Sequence, residues 1–439
     1  MNTYKRIWLR RGKDESLRRF HPWVFSGAIQ RMDADVKEGE VVRVLTNDGD
    51  FIAVGHYQQG SIAVRVLSFS DVDIDAQFWH SRLASALSVR QALGLMPQEG
   101  VSSVAANNTC RLVHGEGDHL PGLIIDVYGH TAVMQAHSIG MHLFRKEIAR
   151  ALEDVMESRI SHIYYKSETT LPFMSADDMN GFLLGGSDDN IAVENGLRFR
   201  VDWLRGQKTG FFVDQRDNRS LLEHYSKGRR VLNMFCYTGG FSVYALRGGA
   251  KLVHSVDSSA KAIELTRQNV ELNFPGDARH EAFCEDAFRF LDRSVNGGIA
   301  SVNTPATVAP SASVNTPVSA DSPVFSDIAS ITTSAPYDLI ILDPPAFAKH
   351  RGALHNALKG YTRLNQKAFE KIEAGGILFT FSCSQVVTKE HFRNAVFTAA
   401  ALARRKVRIL HQLHQPADHP INIYHPEGEY LKGLVLYVE

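Results

Sequence analysis

"RRVLNMFCYTGGFSVYALRGGA", residues 229–250, holds an apolar strand from Val231 to Phe235, a loop with Gly239 and Gly240, and a helix closed by Gly248 and Gly249. Glycines at that point let a ligand approach the backbone where the first strand of a sheet ends. A Gly-Gly turn alone is a weak signal, and the next two strands strengthen it. "KLVHSVDSSAKAIELTRQNVELN" (251–273) is a second strand ending in Asp257, then a helix with Ile263, Thr266 and Val270 at helical spacing and Ser258 or Ser259 as its cap. "EAFCEDAFRFL" (281–291) offers Asp286 after a third strand. Strand, turn and helix repeat in this way, which predicts an α/β fold, a Rossmann-like doubly wound sheet.

An acid ending the second strand is placed to hold the ribose hydroxyls of a bound nucleoside, and Asp286 to meet an adenine amino group. Each acid taken singly also reads as a helix N-cap. The turn lacks the G-x-G-x-x-G cradle of a dinucleotide, and the chain has no G-x-x-x-x-G-K-[ST] loop for a triphosphate. A nucleoside without phosphates fits better, and S-adenosyl-L-methionine is the obvious candidate. Asn233, Tyr237, Thr238 and Gly239 line the turn that would receive it.

Two later strands carry the reactive groups. "YDLIILDPPAFAK" (337–349) and "GGILFTFSCSQ" (375–385) are fourth and fifth in the pattern. Such strands lie parallel and adjacent, so Asp343 and Cys383 should emerge together at the carboxyl edge, beside the cofactor. The four cysteines, Cys110, Cys236, Cys284 and Cys383, are scattered singly with no metal-ligand spacing, so neither a disulfide framework nor a structural metal is expected. Cys236 and Cys284 read as packing residues.

Outward from this core, 439 residues predict two or three domains. Residues 38–68 alternate apolar and polar positions between Gly, Asn and Asp turns, the mark of a small antiparallel sheet or barrel. Residues 77–93 switch to helical spacing, 110–137 read as a hairpin, 140–156 as a helix and 161–166 as a strand. The boundaries are 1–72, 73–190 for an α+β middle domain, and 191–439 for the doubly wound domain. Residues 295–336 interrupt the last of these with Ser, Thr, Ala, Pro and Val and almost no charge, and read as a disordered insertion.

Lys and Arg together equal Asp and Glu at 48 each, which removes the simplest argument for a nucleic-acid partner. Charge is uneven, however. Residues 5–31 carry eight cations, among them Arg10, Arg11, Arg18 and Arg19, against Asp14 and Glu15, with Trp8, Phe20, His21, Trp23 and Phe25 interleaved. That mixture suits a ribose-phosphate backbone with unstacked bases, and equally a solvated basic face over a small core. No run approaches the ~20 apolar residues of a membrane span, and the N-terminus has no apolar signal core, so a cytoplasmic location is expected.

The set "GQKTGFFVDQRDNR", "NMFCYTGGFSVYAL", "VDSSAKAIELTRQNVELN", "LDPPAFAK" and "FSCS" resembles the RlmI-type bacterial methyltransferases, which modify a cytosine of 23S ribosomal RNA at carbon 5. "RRFHPWVFSGAI" with "EGEVVRV" and "SIAVRVL" resembles their N-terminal PUA domain, an RNA-binding module, and 111–130 resembles their middle domain. The resemblance implies a class I fold with an antiparallel last strand, S-adenosylmethionine as methyl donor, 23S ribosomal RNA as partner, no metal and room for a homodimer. It implies Cys383 as the nucleophile and Asp343 as the group that holds the cytosine ring. It also implies Gln215 against the cofactor and leaves Lys208 open; Lys208 or Arg216 is placed to meet RNA phosphate, and a surface loop with a charged rim explains the segment as well. "DPPAF" lacks the second cysteine that another class of RNA cytosine methyltransferases carries there, so the base that removes the carbon-5 proton stays open among Asp343, a water and His350. His419 and His425 are candidates for the RNA cleft, although a loop explains them as well. Two rivals remain: methylation of a guanine ring nitrogen, which needs no thiol, and a cofactor-binding RNA assembly factor without turnover.

Overall fold

The computed structural model describes residues 4–96, 107–171, 180–187, 190–293, 337–348 and 350–439. The segment read as a disordered insertion, 295–336, lies outside the described residues.

The first sheet is built from β1 (Lys5–Leu9), β2 (Trp23–Phe25), β3 (Ile29–Met32), β4 (Val41–Leu45), β5 (Phe51–Tyr57) and β6 (Ile62–Ser68), with a one-turn helix α1 (Glu15–Arg18) between β1 and β2. Its order is β2-β6-β5-β4-β1-β3. The alternation of 38–68 gives antiparallel β4-β5-β6 as expected, but β1 joins β4 in parallel, so the sheet is mixed. Asp75 accepts from the Phe78 amide at 2.9 Å and starts α2 (Ala76–Ala92). There follow β7 (Thr109–His114), β8 (Leu123–Tyr128), β9 (Thr131–Ala136), α3 (Ile139–Leu143), α4 (Arg145–Met156), β10 (His162–Lys166) and β11 (Asn180–Leu184), whose strands form a five-stranded sheet. The hairpin read in 110–137 is the meander β7-β8-β9. A second hairpin, β12 (Ile191–Glu194) and β13 (Leu197–Arg200), leads into the last sheet.

That sheet takes α5 (Arg216–Tyr225), β14 (Arg230–Met234), α6 (Gly240–Arg247), β15 (Leu252–Asp257), α7 (Ala260–Asn273), β16 (His280–Cys284), α8 (Ala287–Arg293), β17 (Tyr337–Leu342), α9 (Leu354–Lys371), β18 (Ile372–Ser382), α10 (Lys389–Leu402), β19 (Val407–Leu413) and β20 (Lys432–Val438). Its order is β16-β15-β14-β17-β18-β20-β19, parallel through β18 and antiparallel at β20. Helices cover both faces, which is why β14 and β17 are buried at successive positions rather than at alternate ones. The chain order reverses between β14 and β17, where a doubly wound sheet opens its ligand crevice.

The three sheets share apolar cores. Val41, Val54 and Leu67 of the first sheet pack into the core of the second, and Tyr128, Val133 and Tyr164 of the second pack with Val231 and Val253 of the third. Arg216 ties the second junction, donating to the Thr109 carbonyl of β7 at 2.6 Å and to Asp418 at 3.0 Å, while the buried Arg219–Glu194 pair joins α5 to the β12 hairpin. Among the described residues no helix is long and apolar enough to cross a membrane.

Candidate active site

The chain leaves β14 through a strained turn. Phe235 and Tyr237 have φ of 59° and 46°, a left-handed backbone that non-glycine residues rarely adopt, and Gly239 follows at 76°. A Cβ on Gly239 would also lie 2.7 Å from Thr266 Cγ2, so glycine is required there twice over. Asp257, at the end of β15, braces the turn by accepting from the Tyr237 amide at 3.1 Å, and accepts from the Ser259 amide at 2.9 Å. Ser259, not Ser258, caps α7. The Tyr237 hydroxyl accepts from the Gln207 amide at 3.0 Å, which ties the turn to the 206–212 loop. The Thr238 side chain is buried, and the Thr238 carbonyl accepts from Asn269. Asn233 donates to Ser242 at 2.8 Å, whereas its Oδ1 is buried with no hydrogen-bond partner among the described residues. Asp214 Oδ1 is in the same condition. Both are buried acceptors that a bound cationic group would satisfy. Asp286 is exposed and accepts from the Phe288 and Arg289 amides, so its visible work is to cap α8.

Beside that turn stand the thiol and the carboxyl. β17 and β18 pair in parallel with Leu342 opposite Thr380, so Asp343 lies one residue and Cys383 three residues beyond the last pair. Ser382 donates to the Tyr361 hydroxyl at 2.9 Å and Ser384 to the Ala348 carbonyl at 2.6 Å, which fixes the Ser-Cys-Ser segment against α9 and the loop after β17. Gln215 Nε2 donates to Asp343 Oδ2 at 2.9 Å, and its own Oε1 accepts from Asn218 at 2.7 Å, which sets the amide's orientation. Burial, and then the nearby Asp214 carboxylate, push the Asp343 carboxyl up to about 7 against the opposing Gln215 hydrogen bond. Burial first and the Asp343 carboxylate second raise the half-buried Cys383 thiol in the same way. Cys110 and Cys236 are fully buried and pushed up to about 12. Cys284 is exposed, and this corrects the packing role expected of it: β16 is an edge strand whose end faces solvent.

Two family models match the chain: a PUA-like domain over residues 7–69 and an S-adenosylmethionine-dependent methyltransferase over 164–294. The chain is 36% identical over 436 residues to ribosomal RNA large subunit methyltransferase I of Tolumonas auensis, covering 98% of both chains. It is 34% identical over 438 residues to the protein of that name from Escherichia coli O139:H28, covering 99% of both. The chain belongs to this methyltransferase family. S-adenosylmethionine is accordingly its methyl donor. Among solved structures, a methyltransferase crystallised with SAH matches with a TM-score of 0.77 at 20% identity, over 98% of this chain and 99% of the other. A SAM-dependent methyltransferase structure from Streptococcus mutans matches with a TM-score of 0.76 at 20% identity, with the same coverage. Both likenesses concern the fold.

In this family member a cleft of about 1450 Å³ opens between the three sheets, lined by Trp23, Arg65, Arg111, Lys208, Gln385 and Lys432 among others. Lys208 is exposed, with its ammonium 4.7 Å from the Phe212 ring centroid. Trp23 donates from Nε1 to Glu116 at 2.9 Å and stands edge-on to His425, ring centroids 4.3 Å apart. Arg10, Arg11, Arg18 and Arg19 are exposed but lie outside the cleft lining; Arg10 donates to the Ile29 carbonyl and Arg18 to Asp14. Arg216 is corrected outright. It is 3% exposed, bound to Asp418 and Glu194 and donating to the Thr109 carbonyl of β7, so it ties the second sheet to the third and does not face RNA. His419 is likewise buried against Asp418, while His425 lines the cleft. His21, His425 and Glu427 bring potential ligand atoms within 4.8 Å of one another. His21 Nδ1 accepts from the Trp23 amide at 3.3 Å, and its Nε2 stands 3.7 Å from Glu427. Sequence reasoning missed Arg65, Arg111 and Lys432. Each is a single cation within or beginning a strand, and nothing in strand alternation marks which cation faces a cleft.

Proposed function

We propose that this chain methylates carbon 5 of a cytosine in 23S ribosomal RNA through a covalent adduct with Cys383. The relatives' names supply the ribosomal RNA substrate, and the observation that carries the finer reading is that Cys383 and Asp343, whose carboxyl burial raises to about 7, leave neighbouring parallel strands at the same sheet edge as the methyl-donor turn. Carbon 5 of cytosine is a poor nucleophile. The Cys383 thiolate adds to carbon 6, forming an S–C bond and moving the electron pair of the 5,6 double bond to carbon 5. Bound S-adenosylmethionine supplies an electrophilic methyl group at that carbon. A base, one of Asp343, a water and His350, then takes the carbon-5 proton, and the freed electron pair restores the 5,6 double bond and expels the Cys383 thiolate.

Asp343 Oδ2 accepts from Gln215, which leaves Oδ1 to carry the proton. A neutral carboxyl there donates toward ring nitrogen 3 and withdraws electron density as the thiolate adds. Trp23 and Lys208 along the cleft give an incoming strand one stacking surface and one exposed cation. The first sheet takes the role of RNA carrier in this reading. The test is nucleoside mass spectrometry of 23S RNA from cells lacking the enzyme after incubation with the protein and S-adenosylmethionine. The reading expects 5-methylcytidine; methyl label recovered on a guanine would replace it with the ring-nitrogen alternative.

A further inference from the structure

Lys432 lines the cleft yet is buried, at 5% exposure, and it begins the strand paired with the nucleophile's own. In the antiparallel register of β18 and β20 it stands opposite Ser382, the residue before Cys383. Its Nζ donates to the Ser384 carbonyl at 2.6 Å and the Val387 carbonyl at 2.8 Å, the first of these immediately after Cys383. Both acceptors are neutral, and Lys432 makes no ion pair among the described residues; nearby Glu429 is bound instead by Lys389 at 2.5 Å. A buried ammonium held only by neutral carbonyls lacks a counter-charge. Burial pulls Lys432 down to about 8, and the Cys383 sulfur is the first group that opposes the fall.

We propose that the Lys432 ammonium is the counter-ion of the Cys383 thiolate and a positioning residue for its attack. The other charges around the thiol come from two directions: Asp343 after β17, and Lys208 and Asp214 ahead of α5. The two carboxylates oppose ionisation of the thiol and Lys208 favours it; Lys432, held on the Ser384 carbonyl, brings a second positive charge from the β20 side. Lys432 keeps its own proton throughout. The thiol loses its proton to solvent, the thiolate's charge passes into the ring on addition, and the pair re-forms when the S–C bond breaks. Its two carbonyl contacts also hold the 384–387 backbone, so one side chain sets both the charge and the position of the sulfur.

This inference rests on Cys383 being the nucleophile, and its test is read without RNA or methyl donor so that the two ideas can fail separately. Full-length protein is alkylated with iodoacetamide across pH 6 to 10, and the Cys383 peptide is quantified by mass. In Lys432→Met the midpoint should move up by about one pH unit, slowing alkylation at pH 8 about tenfold, with Lys432→Arg restoring most of the rate. The reciprocal measurement needs no change at Lys432. In Cys383→Ala, acylation of Lys432 by an N-hydroxysuccinimide ester at pH 8 should quicken severalfold. Unchanged midpoints in the first experiment, or unchanged Lys432 reactivity in the second, overturn the proposal. A shifted midpoint together with full methylation by Cys383→Ala would keep the ion pair and remove the nucleophile reading.

Discussion

Cys236 and Cys383 follow apolar strands at the carboxyl edge of the same sheet, yet their surroundings differ in kind. Cys236 packs with Ile263 and Ala282, and its sulfur meets the Thr266 hydroxyl at 3.6 Å; burial above all pushes it up to about 12. Cys383 is half-buried two residues before Gln385 of the cleft lining, where Asp343, Asp214 and Lys208 act on it and Lys432 feels its charge. The first thiol fills space, and the second sits where charge can be tuned. Reactivity at this sheet edge is therefore set by which residues the neighbouring elements deliver, more than by the position of a cysteine after a strand.

The sharpest way to break that comparison is to delete each sulfur in turn. Cys383→Ala should lower methyl transfer by at least about 10³-fold, whereas Cys236→Ala should keep it within about threefold, both read as initial rates on ribosomal RNA. Equal losses would erase the distinction. Next in size is Asp343→Asn, which should slow transfer by about 10²-fold and reshape its pH profile. The sign follows from the raised carboxyl: it is neutral below about 7 and ionises above, so wild-type activity that needs the proton declines as pH climbs through 7. The asparagine variant should lack that limb. Its stability should rise relative to wild type as pH increases toward 7, because the unfolded wild type ionises this carboxyl at its ordinary value while the folded protein holds the proton. Thermal melts at pH 5 and pH 8 check this.

A second pair sharpens the same lesson in one segment. Arg216→Ala breaks a buried ion pair and should cost about 3 kcal/mol in urea unfolding. Lys208→Ala, eight residues earlier in an exposed loop, should change stability by less than about 0.5 kcal/mol while reducing the salt slope of RNA binding by about one. In the cofactor turn itself, Gly239→Ala should cost about 1–3 kcal/mol of backbone strain, read as weaker S-adenosylmethionine binding by calorimetry.

Much of this arrangement was legible in the sequence because it depends on short-range rules. Apolar runs ending in Asp257, Asp343 and Cys383 place those residues at one sheet edge once the strands are taken as parallel. What escaped depends on long-range pairing. Arg216 and Lys208 share a basic, loop-like stretch, and only Asp418, some two hundred positions away, decides that one is buried. Asp286 carries an acid at a strand end as Asp257 does, yet only Asp257 reaches across to brace the neighbouring turn. Lys432 opens an apolar strand and looks like a polar boundary until β20 is seen lying antiparallel against β18.

The most direct test of the account uses ribosomal RNA carrying 5-azacytosine, incubated with the protein and S-adenosylmethionine and run on a denaturing gel. Nitrogen at position 5 has no proton to lose, so the thiol cannot be expelled. The account predicts a denaturant-stable protein–RNA adduct with wild type and with Cys236→Ala, and none with Cys383→Ala. An adduct that persists without Cys383, or active protein that never forms one, would contradict it.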